Sequence, residues 1–151
     1  MEFCYEQLEP IIREKISGGG KIIIEPKGTS MLPLIRQGKD KVELSPPPQK
    51  LKKYDVPFYK RKDGSFVLHR VIKVRKNDYV LRGDNQTVNE PGITDDMIIA
   101  VATAIIKDGK TIKTDDKDYI IYSKKQVMKK TLYRIYLNLR QRASSIIKRR
   151  K

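Results

Sequence analysis

The sequence has a single cysteine, Cys4, and a single histidine, His69, in 151 residues. One cysteine cannot form an internal disulfide, and a chain without disulfides suits a reducing compartment. One cysteine and one histidine also argue against a zinc site with Cys and His ligands. We therefore expect neither a metal nor a cofactor.

Long hydrophobic runs are missing as well. No window approaches the ~20 apolar residues that a membrane-spanning helix needs, and the N-terminus lacks the basic, apolar and small-residue layout of a secretory signal. These features predict a cytoplasmic protein without a transmembrane segment, either free or bound peripherally at the membrane face.

Acidic residues are few relative to basic ones. Lys and Arg total 33 against 18 Asp and Glu, and the formal net charge is +15. Such a surplus favours an anionic partner, which by charge alone is a nucleic acid, a membrane surface or an acidic peptide. Residues 124–151 hold eleven basic side chains and no acidic one, so most of the surplus lies in a C-terminal tail.

The length suits one domain with an extension, and the sequence divides into three parts. Residues 1–20 contain an N-terminal helix over 4–17, with Pro10 inside it and three glycines, 18–20, after it. Residues 21–116 form a β domain, and residues 117–151 form a basic amphipathic helical tail. The N-terminal segment is too short for a helix-turn-helix.

Short apolar runs separated by turn residues predict a mainly β domain. The hairpin signals are Lys62-Asp63-Gly64-Ser65, Lys76-Asn77-Asp78 and Lys107-Asp108-Gly109-Lys110. Hairpins in succession indicate an antiparallel, partly closed sheet or small barrel. The predicted strands are residues 21–26, 40–45, 56–60, 65–75, 78–82 and 97–106.

From about Asp118 onward, apolar residues recur every three or four positions between Lys, Arg, Gln and Ser. This pattern predicts one basic amphipathic helix or a pair of them. The helix either packs on the sheet with a solvated basic face or binds an anionic membrane or a partner through residues 118–151. We do not expect nucleic acid, because a charge run is more often a solvated or membrane-facing surface.

Ser30 lies in the stretch Gly28-Thr29-Ser30-Met31-Leu32-Pro33, after the apolar residues 22–24. A serine between a glycine and a proline sits on a constrained turn that can present its hydroxyl. A nucleophilic serine needs a neighbouring base, which here is His69 or a lysine. As part of one strand, His69 would share a face with Val67 and Val71. Taken alone, it reads as a structural histidine bonded to a backbone carbonyl.

Three motifs change this interpretation: GTSMLP around Ser30, LHRVI around His69 and RGDN around Asp84. Their order and rough spacing resemble the signal peptidase superfamily of serine peptidases, which includes the LexA-type repressors. The match is closest to the branch of the endoplasmic reticulum and some Gram-positive bacteria, in which histidine replaces the lysine base. The resemblance spans about residues 21–101 and implies a signal-peptidase-like antiparallel β-barrel.

The resemblance implies that Ser30 is the nucleophile and His69 the general base. Backbone N–H groups near Ser30 would bind the oxyanion, and the substrate-binding and oxyanion segment comprises Gly28, Thr29, Met31 and Pro33.

The resemblance leaves the acidic residue that orients His69 open. The corresponding position is Glu90, and Asp84 in the Gly-Asp-Asn motif is the alternative. Asp95 and Asp96 rank below both.

The resemblance thus predicts a serine endopeptidase that binds an extended leader or signal peptide and cleaves after a small residue. The family's membrane anchor is missing from this sequence, so a leader peptide made in the cytoplasm is the expected substrate. The alternative is a non-catalytic basic module on the same fold, which binds an anionic membrane, a peptide or nucleic acid. An inactive relative is a third possibility.

Overall fold

The computed structural model describes the backbone of residues 5–149 and the side chains of residues 7–144; Cys4 lies outside these ranges. The described residues form two α-helices, nine strands and a short 3-10 helix over Asp95–Met97. In chain order the elements are α1 (Tyr5–Ser17), β1 (Ile22–Ile24), β2 (Lys41–Ser45), β3 (Pro57–Lys60), β4 (Phe66–Leu68), β5 (Arg70–Val74), β6 (Tyr79–Arg82), β7 (Glu90–Ile93), β8 (Ile98–Lys107), β9 (Lys110–Lys113) and α2 (Lys117–Arg149).

The predicted hairpin turns are confirmed, and their sequences explain them. Gly64 joins β3 to β4 with φ +87°, a conformation that glycine adopts without steric cost. Asp108 and Gly109 join β8 to β9, and both have positive φ, of 50° and 74°. Two consecutive residues of positive φ make the type of two-residue turn whose twist matches that of the flanking strands.

The strands form two antiparallel sheets. The larger has the order β1-β2-β8-β3-β4, with β9 also paired to β8, and the smaller has the order β5-β6-β7. The ten-residue strand β8 lies at the centre of the larger sheet, between β2 and β3. Strands β1 and β4 are therefore the two ends of that order.

The chain passes from one sheet to the other at His69. The sequence predicted one strand over residues 65–75, but β4 belongs to the larger sheet and β5 to the smaller one, and His69 lies between them. The prediction that His69 shares a strand face with Val67 and Val71 is therefore wrong. Strand β7 was not predicted, because Pro91 and Gly92 disfavour a strand.

The fold class is mixed rather than mainly β. The antiparallel sheets and the short N-terminal helix agree with the prediction, but α2 alone has 33 residues. Within residues 5–149 the two sheets do not form a closed barrel. The predicted mainly β class is therefore only partly correct, and the predicted barrel is not observed as a closed structure.

Two apolar clusters hold the sheets in place. The first lies against the larger sheet and contains Val42, Phe58 and Ile105 together with Ile12 and Ile16 of α1. The second lies between the sheets and contains Leu51, Tyr59, Val71, Tyr79 and Leu81. Since each fully buried aliphatic or aromatic side chain contributes about 1.5–3 kcal/mol, these clusters account for the main driving force of folding.

Helix α2 begins against the sheets and then projects from them. Tyr119 and Ser123 near its start are buried, whereas residues 138–144 are all exposed. The segment predicted as one or two helices is thus a single helix. In the described part of the chain, no helix is both long and apolar enough to cross a membrane.

Candidate active site

Ser30 sits in a turn that follows β1. Gly28 has φ +92°, which favours glycine, and its N–H donates to Oε1 of Gln37 at 2.7 Å. The peptide bond between Leu32 and Pro33 is cis. The conformation of Gly28 and its bond to Gln37 fix the backbone before Ser30, which is half-buried.

The Gly-Asp-Asn segment packs directly against this turn. The N–H of Asn85 donates to the carbonyl oxygen of Ser30 at 2.8 Å, and Nδ2 of Asn85 donates to the carbonyl oxygen of Thr29 at 3.3 Å. A Cβ atom on Gly83 would lie 2.6 Å from the carbonyl oxygen of Ser30. Glycine is therefore needed at position 83 for the close approach of the two segments, and the motif positions the backbone of Ser30.

Asp84 has a structural partner in Arg70. Its carboxylate accepts from Nε of Arg70 at 2.8 Å and from the second guanidinium nitrogen at 2.7 Å, and both side chains are buried. Arg70 also donates to the hydroxyl groups of Ser123, at 2.7 Å, and Tyr119, at 3.3 Å. Burial alone would lower the pKa of Arg70, but the bonds to Asp84 outweigh it and the pKa is raised. No hydrogen bond joins Asp84 to His69 within the described residues.

His69 is 2% exposed and contacts Glu90. Its Nδ1 lies 3.2 Å from Oε2 of Glu90 and 3.3 Å from the hydroxyl oxygen of Tyr59. Glu90 is itself fixed: Arg61 donates two hydrogen bonds to its carboxylate, at 2.6 and 2.7 Å, and Tyr59 donates one at 2.7 Å. Of the two carboxylates that the sequence left open, Glu90 is the one that contacts the imidazole.

The electrostatics of this group determine the state of the imidazole. Burial raises the pKa of Glu90, but the hydrogen bonds from Arg61 and Tyr59 outweigh it, so the pKa is lowered and Glu90 is ionised near neutral pH. Burial is also the main reason that the pKa of His69 lies below its usual 6.5, against the attraction of Glu90. An ionised carboxylate only accepts hydrogen bonds, so a neutral His69 bonded to it carries its hydrogen on Nδ1. The lone pair of Nε2 is then available to accept a proton.

One cavity of about 310 Å³ is lined by both Ser30 and His69. Its apolar wall comes from β1, the turn, β3 and β4, through residues that include Ile24, Met31, Phe58, Phe66 and Leu68. Strands β1 and β4 are the two ends of the larger sheet, so the sheet bends far enough for both ends to reach this cavity. Within the described residues, the Ser30 hydroxyl makes no hydrogen bond with His69.

A second cavity, of about 620 Å³, adjoins the first, and Arg61 and Gln86 line both. Its wall is more polar and includes Asn85 and Glu90, together with Lys130 and Tyr133 of α2. The helix predicted as a tail thus contributes to the surroundings of the site.

The other predicted site residues are distributed unevenly. Gly28 and Met31 line the first cavity, whereas Thr29 and Pro33 are not among its lining residues. The carbonyl oxygen of Pro33 accepts from Nζ of Lys107 at 2.7 Å. Asp95, a lower-ranked candidate for the acidic residue, accepts instead from the hydroxyl of Tyr79.

Sequence reasoning missed Tyr59 and Arg61, which contact Glu90. They lie in or just after β3, and neither belongs to a motif, so only the approach of β3 to β7 in space reveals them. Among the described residues, no group of three or more His, Cys, Asp or Glu side chains could hold a metal ion.

Comparisons with known proteins add no assignment. No family model matches the sequence, and neither the curated proteins nor the solved structures include a match. The residues of the site therefore carry the functional argument.

Proposed function

We propose that this protein is a serine endopeptidase of the signal peptidase type that cleaves a leader or signal peptide. One observation carries the proposal: Ser30 and His69 line the same cavity, and Nδ1 of the His69 imidazole is bonded to Glu90. A nucleophile, a base and a carboxylate that orients the base are the three groups that acyl transfer by serine requires.

The reaction proceeds in two steps. Oγ of Ser30 attacks the carbonyl carbon of the scissile peptide bond while Nε2 of His69 takes its proton, and the resulting imidazolium donates that proton to the leaving amine. Water then attacks the acyl-serine ester with His69 again as base, and the acid product leaves. The missing hydrogen bond between Ser30 and His69 fits a site without substrate, because catalytic hydrogen bonds often tighten only on binding.

Backbone N–H groups supply the charge stabilisation. The N–H groups of Ser30 and Met31 donate no hydrogen bond within the described residues. Unpaired donors beside the nucleophile suit the oxyanion that forms in the tetrahedral intermediate. The N–H of Gly28 is different, because it already donates to Gln37.

The cavity suits an extended peptide. Because β1 and β4 end the order of the larger sheet and both reach the cavity, a peptide lying between them would extend the sheet as an added strand. The apolar wall would accept small or aliphatic side chains. The space between β1 and β4 then serves as the substrate cleft. In this proposal a signal-peptidase-like fold need not close into a barrel.

A degenerate peptide library read by mass spectrometry tests the proposal. Wild-type protein cleaves members of the library, Ser30→Ala removes cleavage, and Ser144→Ala, which changes an exposed serine of α2, leaves it unchanged. Cleavage that survives in a folded Ser30→Ala protein would assign it to a contaminant. The non-catalytic binding module would be favoured if the wild type cleaved nothing and a serine-reactive probe did not label Ser30. The exposed basic helix α2 is the observation that supports this alternative.

A further inference from the structure

Helix α2 has two different sides. Ser123 and Gln126 on the inner side bond to the body of the protein, through Arg70 at 2.7 Å and the carbonyl oxygen of Asp84 at 2.7 Å. At about 100° of rotation per residue, the opposite side presents an apolar row within a sector of roughly 60°. This row, the outer stripe, consists of Ile121, Met128, Leu132, Ile135 and Leu139.

The outer stripe is exposed to solvent along its whole length. The exposed fractions of its five side chains are 39, 61, 59, 47 and 60%, in chain order. Isolated exposed apolar residues are ordinary on protein surfaces, but five on one helix face form a row of the kind that marks an interaction surface. The stripe faces away from the sheets, so it contributes nothing to the core.

Lysines flank the outer stripe on both edges. By the same rotation, Lys124 lies beside one edge, and Lys125 and Lys129 lie beside the other. All three are exposed, and none makes a side-chain hydrogen bond or ion pair within the described residues. Residues 124–144 hold seven basic side chains, these three lysines included, and no acidic one, so this part of the helix carries a single sign of charge.

We propose that the outer stripe and its flanking lysines dock α2 lengthwise on an anionic lipid surface. A helix with an apolar face bordered by Lys and Arg lies in the membrane interface, with the apolar side chains among the acyl chains and the cations at the headgroups. Anionic headgroups add attraction for each cation that comes near them. An anionic lipid surface satisfies both the apolar row and the charges beside it.

Two other candidate partners, nucleic acid and a second copy of the chain, satisfy only one of these features. Nucleic acid would neutralise the lysines, but phosphate contacts would leave the five apolar side chains in water. A second copy of the chain could cover the stripe by helix pairing, but it would bring a second tail of the same positive sign alongside the first. Charge complementarity therefore favours a lipid surface.

Docking would also set the position of the cleft. The inner side of α2 contacts the Asp84 and Asn85 segment, and Lys130 and Tyr133 line the second cavity. A protein lying on its outer stripe would thus hold the second cavity, which adjoins the candidate active site, about one helix diameter from the headgroups. The docking itself does not depend on peptidase activity, so Ser30→Ala protein should bind vesicles as the wild type does.

Flotation with two kinds of vesicle tests the proposal: phosphatidylcholine alone, and phosphatidylcholine mixed with phosphatidylserine. The full chain should float with the mixed vesicles and only weakly with the neutral ones. Changing Lys124, Lys125 and Lys129 together to Gln should lower partitioning to mixed vesicles about 100-fold. The matched control changes Lys39, Lys76 and Lys110 to Gln, which removes the same charge from exposed sites elsewhere and should have an effect of less than about fivefold.

A second variant addresses the apolar part. Leu132→Gln with Leu139→Gln should lower partitioning at least about tenfold without altering the helical circular dichroism, because both side chains are exposed. Equal or absent flotation with the two vesicles, or an equal loss in the control triple variant, would overturn the proposal. A concentration-dependent dimer that sedimentation detects without vesicles, and that the leucine variant abolishes, would also overturn the proposal. RNA binding that requires the three lysines, in the absence of vesicle binding, would overturn it as well.

Discussion

Replacing Asp84 by Asn removes the charge of the buried ion pair with Arg70 while keeping the shape of the side chain. Arg70 is 0% exposed and Asp84 4% exposed, so water cannot replace the lost partner. Breaking a buried pair by removing one partner costs about 3–5 kcal/mol, because the other charge is left uncompensated. We therefore expect Asp84→Asn to lower the free energy of unfolding by about 3–5 kcal/mol.

Urea unfolding followed by far-ultraviolet circular dichroism measures this loss. For a chain of this size, the same change corresponds to a fall in Tm of roughly 6–20 °C. Asp108→Asn is the matched control, since it removes a carboxylate that pairs with Arg36 at the surface, where Asp108 is 70% exposed. An exposed pair contributes about 0–1 kcal/mol, so the control should shift stability little.

The comparison with Glu90→Gln separates the structural carboxylate from the one at His69. Below its lowered Tm, folded Asp84→Asn protein should keep peptide cleavage within about tenfold, because Asp84 makes no hydrogen bond with His69. Glu90→Gln should lower kcat by about 10²–10⁴, as expected for loss of the group that orients a catalytic base. If Asp84→Asn cost no more stability than Asp108→Asn, or lowered kcat more than Glu90→Gln, the assignment of the two carboxylates would be wrong.

Three further predictions concern the site. Gly83→Ala should lower the free energy of unfolding by about 1–3 kcal/mol, because the added Cβ would lie 2.6 Å from the carbonyl oxygen of Ser30 and would displace that turn. The same displacement should lower kcat more than it changes KM, and an unchanged kcat would contradict the packing argument. Because burial lowers the pKa of His69, the acid limb of kcat/KM should have its midpoint below pH 6.5, and a midpoint at or above 6.5 would refute a buried base. Arg61→Gln removes a cation that disfavours the imidazolium, so the midpoint of the acid limb should move to higher pH. If Arg61 had only a structural role, the variant would change stability and leave this midpoint where it was.

The lowered pKa of His69 also affects stability. The folded-state pKa lies below the unfolded value of about 6.5, so the unfolded state binds the proton more readily. The contribution that neutral His69 makes to the free energy of unfolding is fully present above pH 6.5 and is lost as the pH falls from 6.5 through the folded-state pKa. In His69→Gln protein this part of the pH dependence, measured as the urea midpoint between pH 7 and pH 5, should be absent.

Local chemistry in the sequence determined much of the fold. The turn residues around Gly64 and Gly109 fixed two hairpins, because positive φ suits glycine and the short turn imposes the register. The apolar period of residues 118–149 predicted helix α2, since the three- and four-residue spacing suits only a helix. The order of the motifs identified Ser30, His69 and Glu90 as candidate catalytic residues from the sequence alone, but it left Asp84 as an alternative to Glu90.

Only the tertiary structure decided which groups meet. The chain changes sheets at His69, which no local pattern indicated. The pairing of Asp84 with Arg70 and the bonds of Tyr59 and Arg61 to Glu90 join residues that are distant in sequence. Composition and periodicity describe neighbours along the chain, whereas these contacts depend on how strands and α2 pack. The sequence by itself determined the kinds of elements and the candidate chemistry, and packing decided the geometry, because long-range contacts leave no local pattern.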